Sequence, residues 1–256
     1  MKTTKLISVA VCLLTCVPAM LVLAGCSDRD GNEPGSEGAQ AETMVELETD
    51  LRPAKHDRTQ TPRRKSGEPF LVPQGTKLLS RGVEVTSSEM EPVIGELEMI
   101  TDGNEEAQDG DYYVELEPGL QWVQLDLGKP HALYAILVWH YYSPRPADYV
   151  DMMQISDSDR PQLYQDVVVQ VSNDPAFKKD VTTVFNNDHD NSSGLGKGKD
   201  ETYVETSEGR WINPKGVKGR YVRLYSRGCI CLFRGKPVGS GWGELNHYIE
   251  VEVYGK

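Results

Sequence analysis

Polar and apolar residues alternate strictly over residues 122–127, with Val123, Leu125 and Leu127 on one face and Trp122, Gln124 and Asp126 on the other. This period-two pattern predicts a half-buried antiparallel strand, which Gly128-Lys129-Pro130 is expected to close. Three later stretches follow the same rule. Residues 166–172 run into the turn Asn173-Asp174-Pro175, residues 220–226 set Val222 and Leu224 against Tyr221, Arg223 and Tyr225, and the chain ends on the alternating stretch 247–254. Residues 133–140, 181–185 and 201–206 also read as strands, and the single helical signal is a turn at 89–97. Short strands divided by Gly, Pro, Asn and Asp clusters predict an all-β antiparallel β-sandwich over residues 76–256, a length sufficient for one core.

The first 75 residues pattern differently. Lys2 and Lys5 precede an apolar run that closes on Leu23-Ala24-Gly25-Cys26, which predicts a secretory signal over residues 1–25. Its end resembles the lipobox of bacterial lipoproteins, and that resemblance implies acylation of Cys26 and an exported, membrane-anchored chain facing the periplasm or cell surface. Ser27, a non-acidic residue after Cys26, favours the outer membrane by the same analogy. The competing reading, an uncleaved membrane helix, is disfavoured by Cys12, Cys16 and Pro18 within a run barely long enough to span. Residues 26–75 have little to bury and read as a solvated tether with a reach of roughly 40 Å.

Charge narrows the partners. The chain holds 27 Lys and Arg against 39 Asp and Glu; loss of Lys2 and Lys5 leaves 25 against 39, a net of −14. Nucleic acid and anionic headgroups are therefore poor partners, and neutral sugars or cation-assisted ligands fit better. After cleavage, Cys26, Cys229 and Cys231 remain. The pair Cys229-Ile230-Cys231 leaves open a strained or intermolecular disulfide and, with less support, a soft-metal site.

Four of these fragments, taken in order, carry a family resemblance. A Trp-x-x-x-Asp-Leu-Gly strand at 122–128, Val-x-Val-Ser-x-Asp at 169–174, Arg-Tyr-Val-Arg-Leu at 220–224 and Glu-Val-x-Val-Tyr-Gly at 250–255 resemble the discoidin family, the coagulation-factor type C domain. The resemblance covers residues 80–255 and implies a galactose-binding-like jelly roll. Thr101-Asp102-Gly103-Asn104 resembles the loop that wraps a structural calcium in many sugar-binding relatives, and Glu250 matches the glutamate that completes it. Asp102, Asn104 and Glu250 are thus the implied calcium ligands, oxygen donors suited to a hard cation. The pattern departs afterwards, at Ala107-Gln108-Asp109 and Tyr112-Tyr113, and Asp-Gly is also an ordinary turn.

If successive strands are antiparallel, the connections at 141–165, 186–200 and 227–246 gather at one end of the sandwich, where fold-mates commonly hold ligands. They supply His140, Tyr142, Asp188, His189, Asp190, Trp242, Asn246 and His247 as candidate ligand-binding residues. Imidazoles, carboxylates and amides can pair with sugar hydroxyls, while aromatic rings receive the C–H face. The plain alternative is that the Asn, Asp and Ser clusters are turn formers and that the histidines cap the sandwich. A transition-metal centre of His140, His189 and His247 with Asp188 or Asp190 is a weaker reading, without helical ligand spacing. No Gly-x-Ser-x-Gly, His-Glu-x-x-His or phosphate-loop spacing is present, so a binding module is expected rather than an enzyme. Its partner is expected to be a carbohydrate or, alternatively, an envelope or extracellular protein in an adhesive or structural role.

Overall fold

The computed structural model of the chain describes residues 42–47, 70–105, 112–141, 162–206, 208–233, 236–239 and 244–256. Within them the strands run, in order, β1 Met44–Glu46, β2 Leu71–Pro73, β3 Lys77–Leu78, β4 Glu84–Ser87 and β5 Val114–Leu116. Next come β6 Gln121–His140, β7 Gln162–Tyr164, β8 Val168–Ser172, β9 Thr182–Asn186 and β10 Arg210–Ile212. The last four are β11 Val217–Ser226, β12 Cys229–Phe233, β13 Lys236–Gly239 and β14 Asn246–Gly255. The main sheet has the order β3-β14-β6-β11-β8-β9, with β4 and β10 also on β6 and β5 on β14. β13-β12-β7 and β1-β2 form smaller sheets. Pairing is antiparallel throughout these residues, and the domain is the expected all-β sandwich.

The strand at 122–127 does not stop at Gly128. Asp126 lies opposite Tyr221 and His131 opposite Gly219, so residues 127–130 face the single residue Arg220 in an enlarged bulge. Gly128, at φ 79°, supplies the left-handed backbone the bulge requires. The turn residues therefore make a corner rather than an end. Before the corner β6 pairs with β4 and β11; beyond it β11 continues as far as Leu133, and β14 and β10 pair with the rest of β6. Both halves feed one core, in which Val123, Leu125 and Leu127 join Leu133, Ile136, Val138, Val251 and Val253.

Beyond the corner β6 is apolar on both faces, and the second face needs its own cover. Ala135, Leu137 and Trp139 pack with Leu47, Val72, Ile249 and Tyr254. Leu47 comes from the region expected to be tether, where β1 pairs residue for residue with β2. Burying that leucine to 7 % exposure contributes about 2 kcal/mol. Residues 42–47 thus belong to the folded head.

Other expectations change too. Residues 201–206 form no ladder; Glu205 N–H donates to Gln162 O at 2.8 Å, and the side chains of Tyr203, Glu205 and Thr206 are buried. The turn expected at 89–97 appears instead as a 3-10 turn at Leu97–Thr101. Cys229 is buried in the main core, at 3 % exposure.

Candidate functional site at the loop end

Hydrogen bonds join the three long connections at the end of the sandwich where His140, Tyr164, Ser226 and Asn246 lie. Tyr164 is the hub. Its ring stacks on His140 with centroids 4.2 Å apart, and its hydroxyl donates to Tyr141 O at 3.0 Å and lies 3.1 Å from His247 Nδ1. His140 Nδ1 is 2.9 Å from Glu205 Oε1, and His247 Nε2 is 3.0 Å from Glu115 Oε2. Burial, followed by the proximity of His140, pulls His247 down to about 4, so at neutral pH it is an uncharged member of this network. Asn246 accepts from Ser226 Oγ at 2.5 Å and donates to Glu117 O and Gly119 O at 2.9 and 3.0 Å. His140, Asn246 and His247 are all buried, forming the floor of this end rather than its surface.

The surface above is the 186–200 connection, stapled from within. Asp188 is fully buried, and its carboxylate accepts from Ser192 N–H (3.1 Å), Ser193 N–H (2.9 Å) and Ser193 Oγ (2.5 Å). Burial alone would raise its pKa, but those donors, the Ser193 hydroxyl first, hold it at about 2. Asn186 and Asn191 fasten the glycines: Asn186 Nδ2 donates to Gly196 O at 2.9 Å, and Gly196 N–H donates to Asn191 Oδ1 at 2.6 Å. His189 and Asp190 are left exposed, with His189 Nε2 donating to Asp200 O at 2.8 Å.

Two residues the sequence reading passed over complete this rim. Arg227 pairs with Asp166 at 2.9 Å and donates to Ser192 O, and Ser192 Oγ donates to Asp166 at 2.5 Å. Asp166, Asp188 and Asp190 bring carboxylate oxygens within 4.8 Å of one another. Asp166 stood at the head of a predicted strand; its φ of +50° and its partner 61 positions away were invisible in a local pattern. The close approach of Gly228 to Glu244, where a Cβ would lie 1.7 Å from the carbonyl oxygen, positions Arg227 beside the β14 entry.

The eight candidates therefore divide. His140 and His247 meet around Tyr164, Asn246 braces the same floor, and Asp188, His189 and Asp190 build the overlying loop. Tyr142 and Trp242 lie outside the described residues, as does Cys26. The three imidazoles do not converge: both nitrogens of His247 are engaged and His189 faces Asp200, which corrects the three-histidine metal centre.

The implied calcium loop lies elsewhere, over the outer face of β14. Gly103 N–H donates to Glu250 Oε2 at 3.0 Å, Asp102 Oδ1 accepts from Asn104 N–H at 2.8 Å, and Tyr112 donates to Asp102 Oδ2 at 2.5 Å. Glu250 is 1 % exposed, and burial pushes it up to about 8 despite the Gly103 amide and the Arg81 charge nearby. A buried carboxyl with too little positive charge, beside Asp102 and the Asn104 amide, is a donor set that fits a hard cation.

No family model matches the chain, and no curated protein matches it. Among solved structures, 70 % of the chain superposes on 14 % of a family 89 glycoside hydrolase from Clostridium perfringens in complex with GlcNAc-α-1,4-galactose, at 15 % identity and a TM-score of 0.42. It also superposes over 70 % on 98 % of the family 32 carbohydrate-binding module of C. perfringens NanJ in complex with galactose, at 11 % and 0.44. A chitosan-binding module from a Paenibacillus sp. IK-5 chitosanase/glucanase is covered to 99 %, at 18 % and 0.40. At such identities and scores these are likenesses only.

Proposed function

We propose that the chain is a lipid-anchored envelope module that binds carbohydrate at the loop end. The observation that carries this reading is the rim of His189, Asp190 and the Asp166–Arg227 pair, held by a loop whose shape Asp188 fixes from inside. A rim ordered before binding loses little entropy on binding, and mixed donors and acceptors suit the paired hydroxyls of a sugar ring. Calcium is assigned to Asp102, Asn104 and Glu250, where it would hold the 102–104 loop against β14. Cys26 is assigned as the acylated residue, with the outer membrane as the favoured site; Cys26→Ser is expected to move the chain from the membrane to the soluble fraction. Retention in membranes would count against the anchor.

A saccharide panel with galactose, Lewis-type and chitosan oligosaccharides and uronic acids tests the binding reading. Specific binding is expected, weakened at least tenfold by Arg227→Ala and His189→Ala; binding untouched by either substitution would remove the site from this end. A protein partner is the second reading, favoured by the exposed apolar tip Met90, Val93 and Ile94, at 98, 48 and 39 % exposure. Absence of any saccharide binding, together with envelope-protein capture lost on Met90→Asp, would establish it instead.

A further inference from the structure

Strand alternation connects the loop-end rim to the outer face of the main sheet. Val222 and Leu224 enter the core, so Tyr221, Arg223 and Tyr225 between and beside them face outward on β11. Arg227 stands two positions beyond Tyr225, just past the strand end at Ser226. Across the ladder Trp122 lies opposite Tyr225, and its neighbour Val123 enters the core, so the indole shares that outer face. Ordinary strand spacing sets Trp122 about 5 Å across from Tyr225, and Tyr225 about 7 Å along the chain from Arg227.

The indole is pinned on one face. The Arg223 guanidinium lies 4.2 Å from the Trp122 ring centroid and 4.2 Å from that of Phe177, between the two rings. Arg223 is itself fastened: Nε and Nη2 donate to Gln124 Oε1 at 2.9 and 2.6 Å, and Nη2 also donates to Pro175 O at 2.9 Å. Beyond that stack the ring is open. Trp122 is half-buried and makes no contact with another aromatic ring among the described residues. Its backbone bonds to Ser88, but its indole N–H donates to none of the described residues and is not buried. Trp211, by contrast, donates its indole N–H to Glu208 O at 3.0 Å. A ring fixed from behind, with an open donor at its edge, is the arrangement that receives the C–H face of a sugar together with one of its hydroxyls.

We propose that Trp122 forms a second saccharide subsite, on the outer face of β6 and β11, so that the rim takes one sugar ring and the indole takes the next. The inference rests on the carbohydrate reading above. It makes the preferred ligand an oligosaccharide of two or more rings rather than a monosaccharide, and it extends the site from the loops onto the sheet. Because Arg223 holds the indole in place beforehand, the subsite loses little side-chain freedom on binding.

The test is calorimetric titration of the full chain with two pairs of sugars, galactose with lactose and N-acetylglucosamine with diacetylchitobiose, for wild type, Trp122→Leu and Trp122→Phe, with indole emission followed in parallel. In wild type the disaccharide of the accepted pair is expected to bind about tenfold more tightly than its monosaccharide, with an emission change that the monosaccharide does not cause. Trp122→Leu is expected to bind the monosaccharide as wild type does and the disaccharide no better. Trp122→Phe, which keeps a ring, is expected to retain most of the disaccharide gain and to lose the emission change; it also decides the matter if Trp122→Leu fails to fold. A wild type that binds both sugars of a pair equally, a disaccharide gain intact in Trp122→Leu, or a disaccharide emission change that persists in Trp122→Phe overturns the second subsite and leaves the rim in place. No binding of any of the four sugars overturns the carbohydrate reading for these ligands and the second subsite with it.

Discussion

Asp188 and Glu250 are both buried carboxylic acids, at 0 and 1 % exposure, yet their environments push them in opposite directions, to about 2 and about 8. The difference lies in donor supply. Asp188 receives two amides and a hydroxyl from its own loop, within five residues of chain. Glu250 receives one amide, across 147 residues, and has Asp102 and Glu252 as like-charged neighbours. Burial disfavours charge in both places, and hydrogen bonds reverse that only where enough of them arrive. One carboxylate is therefore a finished staple; the other fits an external cation.

The largest expected effect comes from Glu250. A carboxyl whose folded pKa lies above its unfolded value stabilises the fold in its protonated form, and that contribution is lost as pH rises through the folded value. In chelator, stability should accordingly decline between about pH 4.5 and 8, by up to about 5 kcal/mol at 1.4 kcal/mol per pH unit. Glu250→Gln, which keeps the shape without the charge, should flatten that limb, and calcium should flatten it in wild type. Denaturant titration across this range checks it; a wild-type profile in chelator that is level from pH 4.5 to 8 contradicts the contrast with Asp188.

How far this was legible beforehand depends on whether an interaction is local. Alternation marked the strand at 122–127, the 220–226 stretch and the last strand, because period-two burial is written into each segment. It misread Gly128 as an end, since a bulge and a turn use the same residues and only the partner strand distinguishes them. Leu47 was lost in a polar segment because its reason for burial is the second apolar face of β6, more than eighty positions away. At the loop end, Asp188, His189 and Asp190 stood out as a cluster, but composition does not tell a buried staple from an exposed rim. Arg227 and Asp166 were missed for the same reason as Leu47: their meaning is a pairing across the fold.

The Asp188 side of the comparison can be dismantled in steps. Asp188→Ala leaves two buried amides and a hydroxyl without their acceptor, and should cost about 3 kcal/mol by the usual penalty for unsatisfied donors to a charged partner. Ser193→Ala removes only the hydroxyl, and should cost about 1 kcal/mol. The two substitutions also separate by pH. A carboxylate held below its unfolded value contributes stability above about pH 4 that is lost as pH falls towards 2. In Ser193→Ala the folded value should rise from about 2, so the acid loss of stability still begins near pH 4 but is smaller and ends at a higher pH; in Asp188→Ala that segment of the acid limb should vanish. Acid denaturation curves of the three proteins, read beside their saccharide affinities, decide whether the loop's rigidity matters for binding. If Asp188→Ala binds as well as wild type while melting lower, the staple holds the fold and not the rim, and preorganisation ceases to support the binding reading.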